Sequence, residues 1–273
     1  MKESSYGAID QTIAEDDISV YVEEISLKGF TVIKGLFTEQ DLKKWRHKID
    51  SVYMQQEDDF GRDELISIQE LDVCRAPIVY DFDFINLAVH PTVLEVVKRF
   101  LGDWYILNLQ NAVINRPNKI HHQSSWHRDL PYQNYIISNP LAINALIAID
   151  EFSPETGGTR LVPFTHKTEI LPSDHYIDTH QITASVPAGS VIMFDSMLFH
   201  KAGENTSDII RRSVNHLYTT PMIKQQYDFS KAFHDKKSEL SPFLERLLGF
   251  SSQVCLDDKD WRRARSRRLN GDK

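Results

Sequence analysis

Between residues 104 and 219 the chain is a succession of short apolar runs separated by turn residues, and this texture restricts the fold more than any other feature of the sequence. Runs at 104–114, 141–149, 159–163, 182–186, 191–194 and 211–219 predict strands, with turn signals rich in Pro, Gly and Ser at 153–158 and 187–190. Strands this closely spaced, with no helical periodicity between them, can bury their apolar faces only as a sandwich or barrel, here a jelly roll. Helices are expected on either side. Ile18, Val20, Tyr21, Ile25 and Leu27 recur at near-helical spacing up to Gly29, and a strand follows at 30–33. Thr38 with Asp41 three positions on predicts a helix start, and Leu42, Trp45 and Ile49 give that helix its buried stripe. The acidic stretch 57–64 reads as a surface loop, a helix runs from Pro91 to Gly102, and another begins after Ser241-Pro242. The expected architecture is mainly β with flanking helices: a loose segment 1–14, then one domain over 15–273 with helical additions at both ends.

Charge and composition narrow the class of partner. A formal charge of −8 gives no basic surface for phosphate backbones, so nucleic acid is not expected as a partner. Cys74 and Cys255 form neither a C-x-x-C pair nor a disulfide framework, which fits a reducing, cytoplasmic location. The first residues carry no signal-like apolar run, and Asn144 interrupts the apolar stretch 141–149. Neither secretion nor membrane insertion is therefore expected. The arginine-rich segment 261–268 reads as a solvated terminus.

The chemistry concentrates around Trp126-His127-Arg128-Asp129. On an extended strand, residues two apart share a face, so the His127 imidazole and the Asp129 carboxylate converge. His200, after the apolar run 191–194, is the natural third member. Two imidazoles and one carboxylate on one side of an ion leave its other side open, the arrangement used by non-haem Fe(II) oxygenases. Arg211 follows His200 by eleven positions. On a neighbouring strand its guanidinium could enter the same cavity and pair with the far carboxylate of a chelating dicarboxylate. Arg212 points the other way on a regular strand, and a local bulge would exchange the two. Trp126 and Phe199 are expected as pocket walls. The other histidines, including His121, His122, His166 and His216, are expected to pack or to lie in loops. Loops at 75–80 and 116–134 should rim the cavity. They offer Arg116, Lys119, Arg128, Tyr132 and Gln133 to a small polar or anionic substrate.

Taken in order, 30–32, 126–129, 162–167, 189–195, 200–207 and Arg211 resemble the phytanoyl-CoA dioxygenase family of Fe(II)- and 2-oxoglutarate-dependent oxygenases. The resemblance implies a double-stranded β-helix (cupin-like) fold, Fe(II) held by His127, Asp129 and His200, and 2-oxoglutarate paired with Arg211. It further implies O2 as co-reactant, release of succinate and CO2, and Asn111, Asn115 and Ser213 facing the cosubstrate. Two departures stand out. Ala202 replaces a hydroxyl often found two positions after the second iron histidine, and Pro163-Phe164-Thr165-His166 replaces Pro-Gly-Ser-His. Because Asp129 is present, hydroxylation is expected over halogenation. Other readings of the same residues are a catalytically silent jelly-roll binding protein and a Zn(II) hydrolase using the three ligands.

Overall fold

The computed structural model describes residues 12–119, 122–130 and 136–270, and these group into two compact units that divide after Tyr227. In the first unit, helix α1 (Asp17–Lys28) leads into strand β1 (Phe30–Ile33). Helices α2 (Glu39–Phe60) and α3 (Arg62–Ser67) then precede β2 (Val73–Arg75), and α4 (Pro77–Tyr80), α5 (Ile85–Ala88) and α6 (Pro91–Leu101) follow it. The strand-rich part comprises β3 (Ile106–Asn115), β4 (Ala142–Ala148), β5 (Arg160–Leu161), helix α7 (Asp174–His180), β6 (Ile182–Thr183), β7 (Val191–Asp195), β8 (His200–Lys201) and β9 (Arg211–Thr219). The second unit holds α8 (Phe229–Ala232), α9 (Pro242–Leu247) and α10 (Asp258–Asn270). On α10, Arg262, Arg263, Arg265 and Arg267 are exposed, with Arg265 over the Trp261 ring.

The helix ends follow their sequence signals. Asp16 caps α1 by accepting from the Ser19 amide at 2.7 Å, and Gly29 closes it in a left-handed conformation. Thr38 and Asp41 make the reciprocal capping box of α2. The stretch 57–64, expected as a loop, is instead the end of α2, a break at Gly61 and the start of α3. Its charges decorate a solvent-facing helical surface, where Glu57 pairs with Arg62, while Val52, Tyr53 and Leu65 turn inward. Residues 75–80, expected as a rim loop, are the end of β2 and helix α4.

All strand pairs are antiparallel, in a six-stranded sheet of order β1-β7-β4-β9-β3-β2 and a three-stranded sheet of order β6-β5-β8. Phe30, Leu146, Ile192 and Phe194 of the large sheet pack with Leu161, Ala184, Val186 and Phe152 of the smaller side. This is the jelly roll, a double-stranded β-helix with flanking helices. Among the described residues, no helix is long and apolar enough to cross a membrane.

Strand parity places the site. Arg211, Ser213 and Asn215 of β9 face inward, toward the space between the sheets. The alternate residues meet the helices: Tyr218 donates to the Ala88 carbonyl at 2.7 Å, and Arg212 donates through Nε and Nη2 to the Asp50 carboxylate at 2.8 and 2.9 Å. The β3–β9 ladder is irregular only between Leu107 and Leu109, far from Arg211, so no bulge exchanges Arg211 and Arg212. Arg212 also donates to Asp150 and ties the sheet to α2. Arg212→Ala is therefore expected to destabilise the fold by about 2 kcal/mol through the carboxylates it leaves half-buried. A thermal melt checks this.

Candidate metal centre and cosubstrate pocket

The His-x-Asp segment is less regular than a strand. It meets the smaller sheet at a single rung, where His127 and His200 exchange both backbone hydrogen bonds, at 3.0 and 3.1 Å. The Asp129 amide then donates to the Ser196 carbonyl at 3.2 Å. These contacts bring together three residues spread over 74 positions: Asp129 Oδ1 lies 3.7 Å from His127 Nε2 and 3.6 Å from His200 Nε2. One ligand atom from each lies within 4.8 Å of the others, a grouping able to hold a metal ion.

The imidazoles are set for that task. His127 Nδ1 lies 2.8 Å from the Ser125 carbonyl and His200 Nδ1 lies 3.0 Å from the Leu198 carbonyl. A carbonyl only accepts, so each Nδ1 carries the proton and each Nε2 lone pair is free for a cation. Burial depresses the His200 pKa to about 4, helped by His127 and opposed by Asp129, so the ring is neutral at pH 7. Burial works to raise the Asp129 carboxyl. His200, His127 and the amides of Asn215 and Asn144 outweigh it and hold the group below the ordinary value. A neutral His200 imidazole beside an ionised carboxylate suits a divalent ion.

A cavity of about 210 Å³ opens beside the three groups and reaches Arg211. Arg211 is 2% exposed. It donates to Ser213 Oγ at 3.1 Å and to the Gly157 carbonyl at 2.8 Å, and it sits over the Phe152 ring at 4.5 Å. Its Nε has no partner, and no carboxylate among the described residues lies within ion-pair distance. Burial lowers its pKa to about 10, with Asp150 opposing, which leaves it charged at neutral pH. A buried cation without a counter-ion costs several kcal/mol, a cost that an anion entering this pocket would offset. Gly157 is needed here: at φ +74, a Cβ would stand 2.6 Å from both the Gly203 carbonyl and the Asn115 amide.

The expected site residues divide. Asn111 and Ser213 line the cavity with His127, Asp129, His200 and Arg211. Asn115 does not; its amide braces the Gly203 and Gly157 carbonyls at 3.0 and 3.4 Å. Arg116 is bound to Asp72 at 2.6 Å away from the lining, and Lys119 is exposed. Tyr132 and Gln133 lie outside the described residues. Arg128 touches the cavity, but its guanidinium is spent on the carbonyls of Met197, Glu169, Thr165 and Thr168 and lies 3.9 Å from the Phe199 ring centroid. It clamps a loop with four of its five N–H groups while also bordering the cavity. Arg75, from the stretch 75–80 expected at the rim, lines the cavity, as does Gln226, which was overlooked in the sequence.

Also overlooked were Asn144 and Asn215, whose amides donate to Asp129 Oδ2 at 2.5 and 2.9 Å. Two signals were available: Asn144 is a lone amide in an apolar strand, and Asn215 shares the inward parity of Arg211 and Ser213. Nearby, burial pushes the Asp195 carboxyl up to about 6, opposed by the Met197 amide, Lys167 and Arg128. Because its folded pKa exceeds the unfolded value, its contribution to stability is fullest below about pH 4 and is lost as pH rises through about 6. Asp195→Asn should thus melt higher than the native chain at pH 8, by up to about 3 kcal/mol in stability, with the gap closing near pH 4.

The phytanoyl-CoA dioxygenase (PhyH) family model matches residues 25–213. The uncharacterized protein Rv1501 of Mycobacterium tuberculosis is 31% identical over 257 residues, 90% of this chain and 92% of that one. Human peroxisomal phytanoyl-CoA dioxygenase is 24% identical over 217 residues, 68% of this chain and 64% of that one. Among solved structures, EctD from S. alaskensis with 2-oxoglutarate and 5-hydroxyectoine superposes with a TM-score of 0.64 at 16% identity. It covers 77% of this chain and 79% of that one, and supports the fold.

Proposed function

This chain belongs to the phytanoyl-CoA dioxygenase family and is an Fe(II)/2-oxoglutarate-dependent dioxygenase, and we propose from that premise that it hydroxylates a small polar metabolite or natural-product intermediate. In this reading His127, Asp129 and His200 hold the iron, and Arg211 with Ser213 holds the far carboxylate of 2-oxoglutarate. The observation that carries it is the buried guanidinium without a counter-ion in the cavity of a His-Asp-His cluster.

Each side chain then has a defined task. His127 and His200 offer Nε2, their Nδ1 protons being taken by carbonyls, and Asp129 offers Oδ1. Arg211 and Ser213 orient the cosubstrate by its distal end, while Phe194 and Leu146 line the cavity with apolar surface that excludes water. Bound iron and 2-oxoglutarate supply the oxidising chemistry, in which O2 converts the cosubstrate to succinate and CO2 and inserts one oxygen into a substrate C–H bond. No side-chain general base is required.

The substrate side supports a polar ligand of low net charge. Arg75 faces the cavity with its Nε and Nη2 paired to Glu70 at 2.6 and 2.5 Å, so it contributes hydrogen-bond capacity more than net charge. Asn111 and Gln226 add amides, and Lys201, its ammonium over the Trp126 ring, adds a cation. Of the basic side chains expected at the rim, Arg116 pairs with Asp72 through Nε and Arg128 donates to backbone carbonyls. Anaerobic loading with Fe(II) and 2-oxoglutarate, then exposure to O2 with a panel of small polar metabolites and of acyl-CoA thioesters, tests the reading. Succinate release stimulated by a polar member, with an oxygen atom gained by that compound, is expected. Stimulation by acyl thioesters alone would overturn the substrate class, and no 2-oxoglutarate turnover with any compound would overturn the site.

A further inference from the structure

We propose that Asn144 and Asn215 are positioning residues that restrict Asp129 to binding the metal through a single oxygen. The inference rests on reading His127, Asp129 and His200 as the iron site. The two oxygens of Asp129 are not equivalent. Oδ1 is the one near both imidazole Nε2 atoms, whereas Oδ2 receives the Asn144 amide at 2.5 Å and the Asn215 amide at 2.9 Å. A carboxylate oxygen has two lone-pair sites, and here two donors occupy them. Turning Oδ2 toward a metal would strand two amide N–H groups, one on a residue with no exposed surface, and each stranded donor costs its full desolvation.

The amides cannot simply rotate to relax this arrangement. Ser196 Oγ donates to Asn144 Oδ1 at 2.6 Å, which fixes the oxygen end of that carboxamide and aims its nitrogen at Asp129. The same nitrogen donates to Asn215 Oδ1 at 3.1 Å, which orients the second carboxamide in turn. Ser196 also accepts the Asp129 backbone amide through its own carbonyl, so one residue sets both the main chain and the far carboxylate oxygen of the ligand. Both carboxamide nitrogens of the array donate to Oδ2. Asn144 and Asn215 stand on adjacent strands β4 and β9, so the sheet itself holds the array. A carboxylate held by one oxygen leaves an additional coordination position for cosubstrate and O2, which bidentate binding would fill.

The test is a coupling measurement with Co(II) as the probe ion, read by titration of its ligand-field absorption in the full chain. Partners that orient a metal ligand typically change affinity by about 10–100-fold, and Asn215→Ala should weaken Co(II) binding by that factor. In an Asp129→Ala background the same substitution should have no effect, because Asn215 acts only through that carboxylate. Equal losses in both backgrounds, or none in the native background with the melting curve unchanged, would overturn the proposal. If Asn215→Ala does not fold, Ser196→Ala removes the first donor of the array and should give a smaller loss with the same dependence on Asp129; no loss, or one that persists without Asp129, overturns it. Failure of the underlying reading looks different: native protein would then bind Co(II) no better than His127→Ala.

Discussion

A His127→Ala variant folds normally and loses 2-oxoglutarate-dependent succinate release by at least about 10³-fold, since an open metal site with three protein ligands cannot give one up and keep its geometry. His127 is the proposed ligand to change first because its side chain is about one-third exposed and its segment joins the sheet at one rung. His200 is a poorer choice: it is buried against the Phe194 ring at 4.8 Å, and its removal would mix ligand loss with a cavity. Succinate release with Fe(II) in excess, beside a melting curve, decides the matter. Activity within tenfold of native with an unchanged melt would remove His127 from the ligand set.

Arg211→Met is expected to raise the half-saturating 2-oxoglutarate concentration by roughly 30- to 3,000-fold, the equivalent of about 2–5 kcal/mol for truncating one partner of a buried charge pair. Methionine keeps much of the packing over the Phe152 ring but supplies nothing to a carboxylate. Lysine should rescue only in part, because a point charge cannot bond Ser213 Oγ, the Gly157 carbonyl and a carboxylate with the geometry of a planar fork. The neighbouring Arg212→Ala gives the opposite signature, lower stability with cosubstrate affinity intact. If both variants bind 2-oxoglutarate as the native chain does, the anchor lies elsewhere.

Much of this architecture was legible in the sequence for identifiable physical reasons. The strands at 106–115, 142–148, 191–195 and 211–219 stand out because each buries a run of apolar side chains, and the helices because their caps are local. Choosing Arg211 over Arg212 needed only the two-residue period of a strand whose ladder proved regular at that end. What could not be read depended on tertiary contacts. Asn144 and Asn215 reach Asp129 across 15 and 86 positions, and the clamp that Arg128 makes exists only once the 165–169 loop is folded over it. The charged stretch 57–64 misled for another reason: many exposed charges mark a solvated surface, and a solvated surface can be one side of a helix.

The rung between His127 and His200 has a consequence for endurance. Under the proposed ligand assignment a single ion grips both members of an isolated two-residue pairing, so local opening of that segment must first expel the ion. Resistance to such opening then grows with the logarithm of free ferrous concentration. Proteolytic lifetime thereby becomes a gauge of iron supply, and cosubstrate that tightens the ion's grip would lengthen it further.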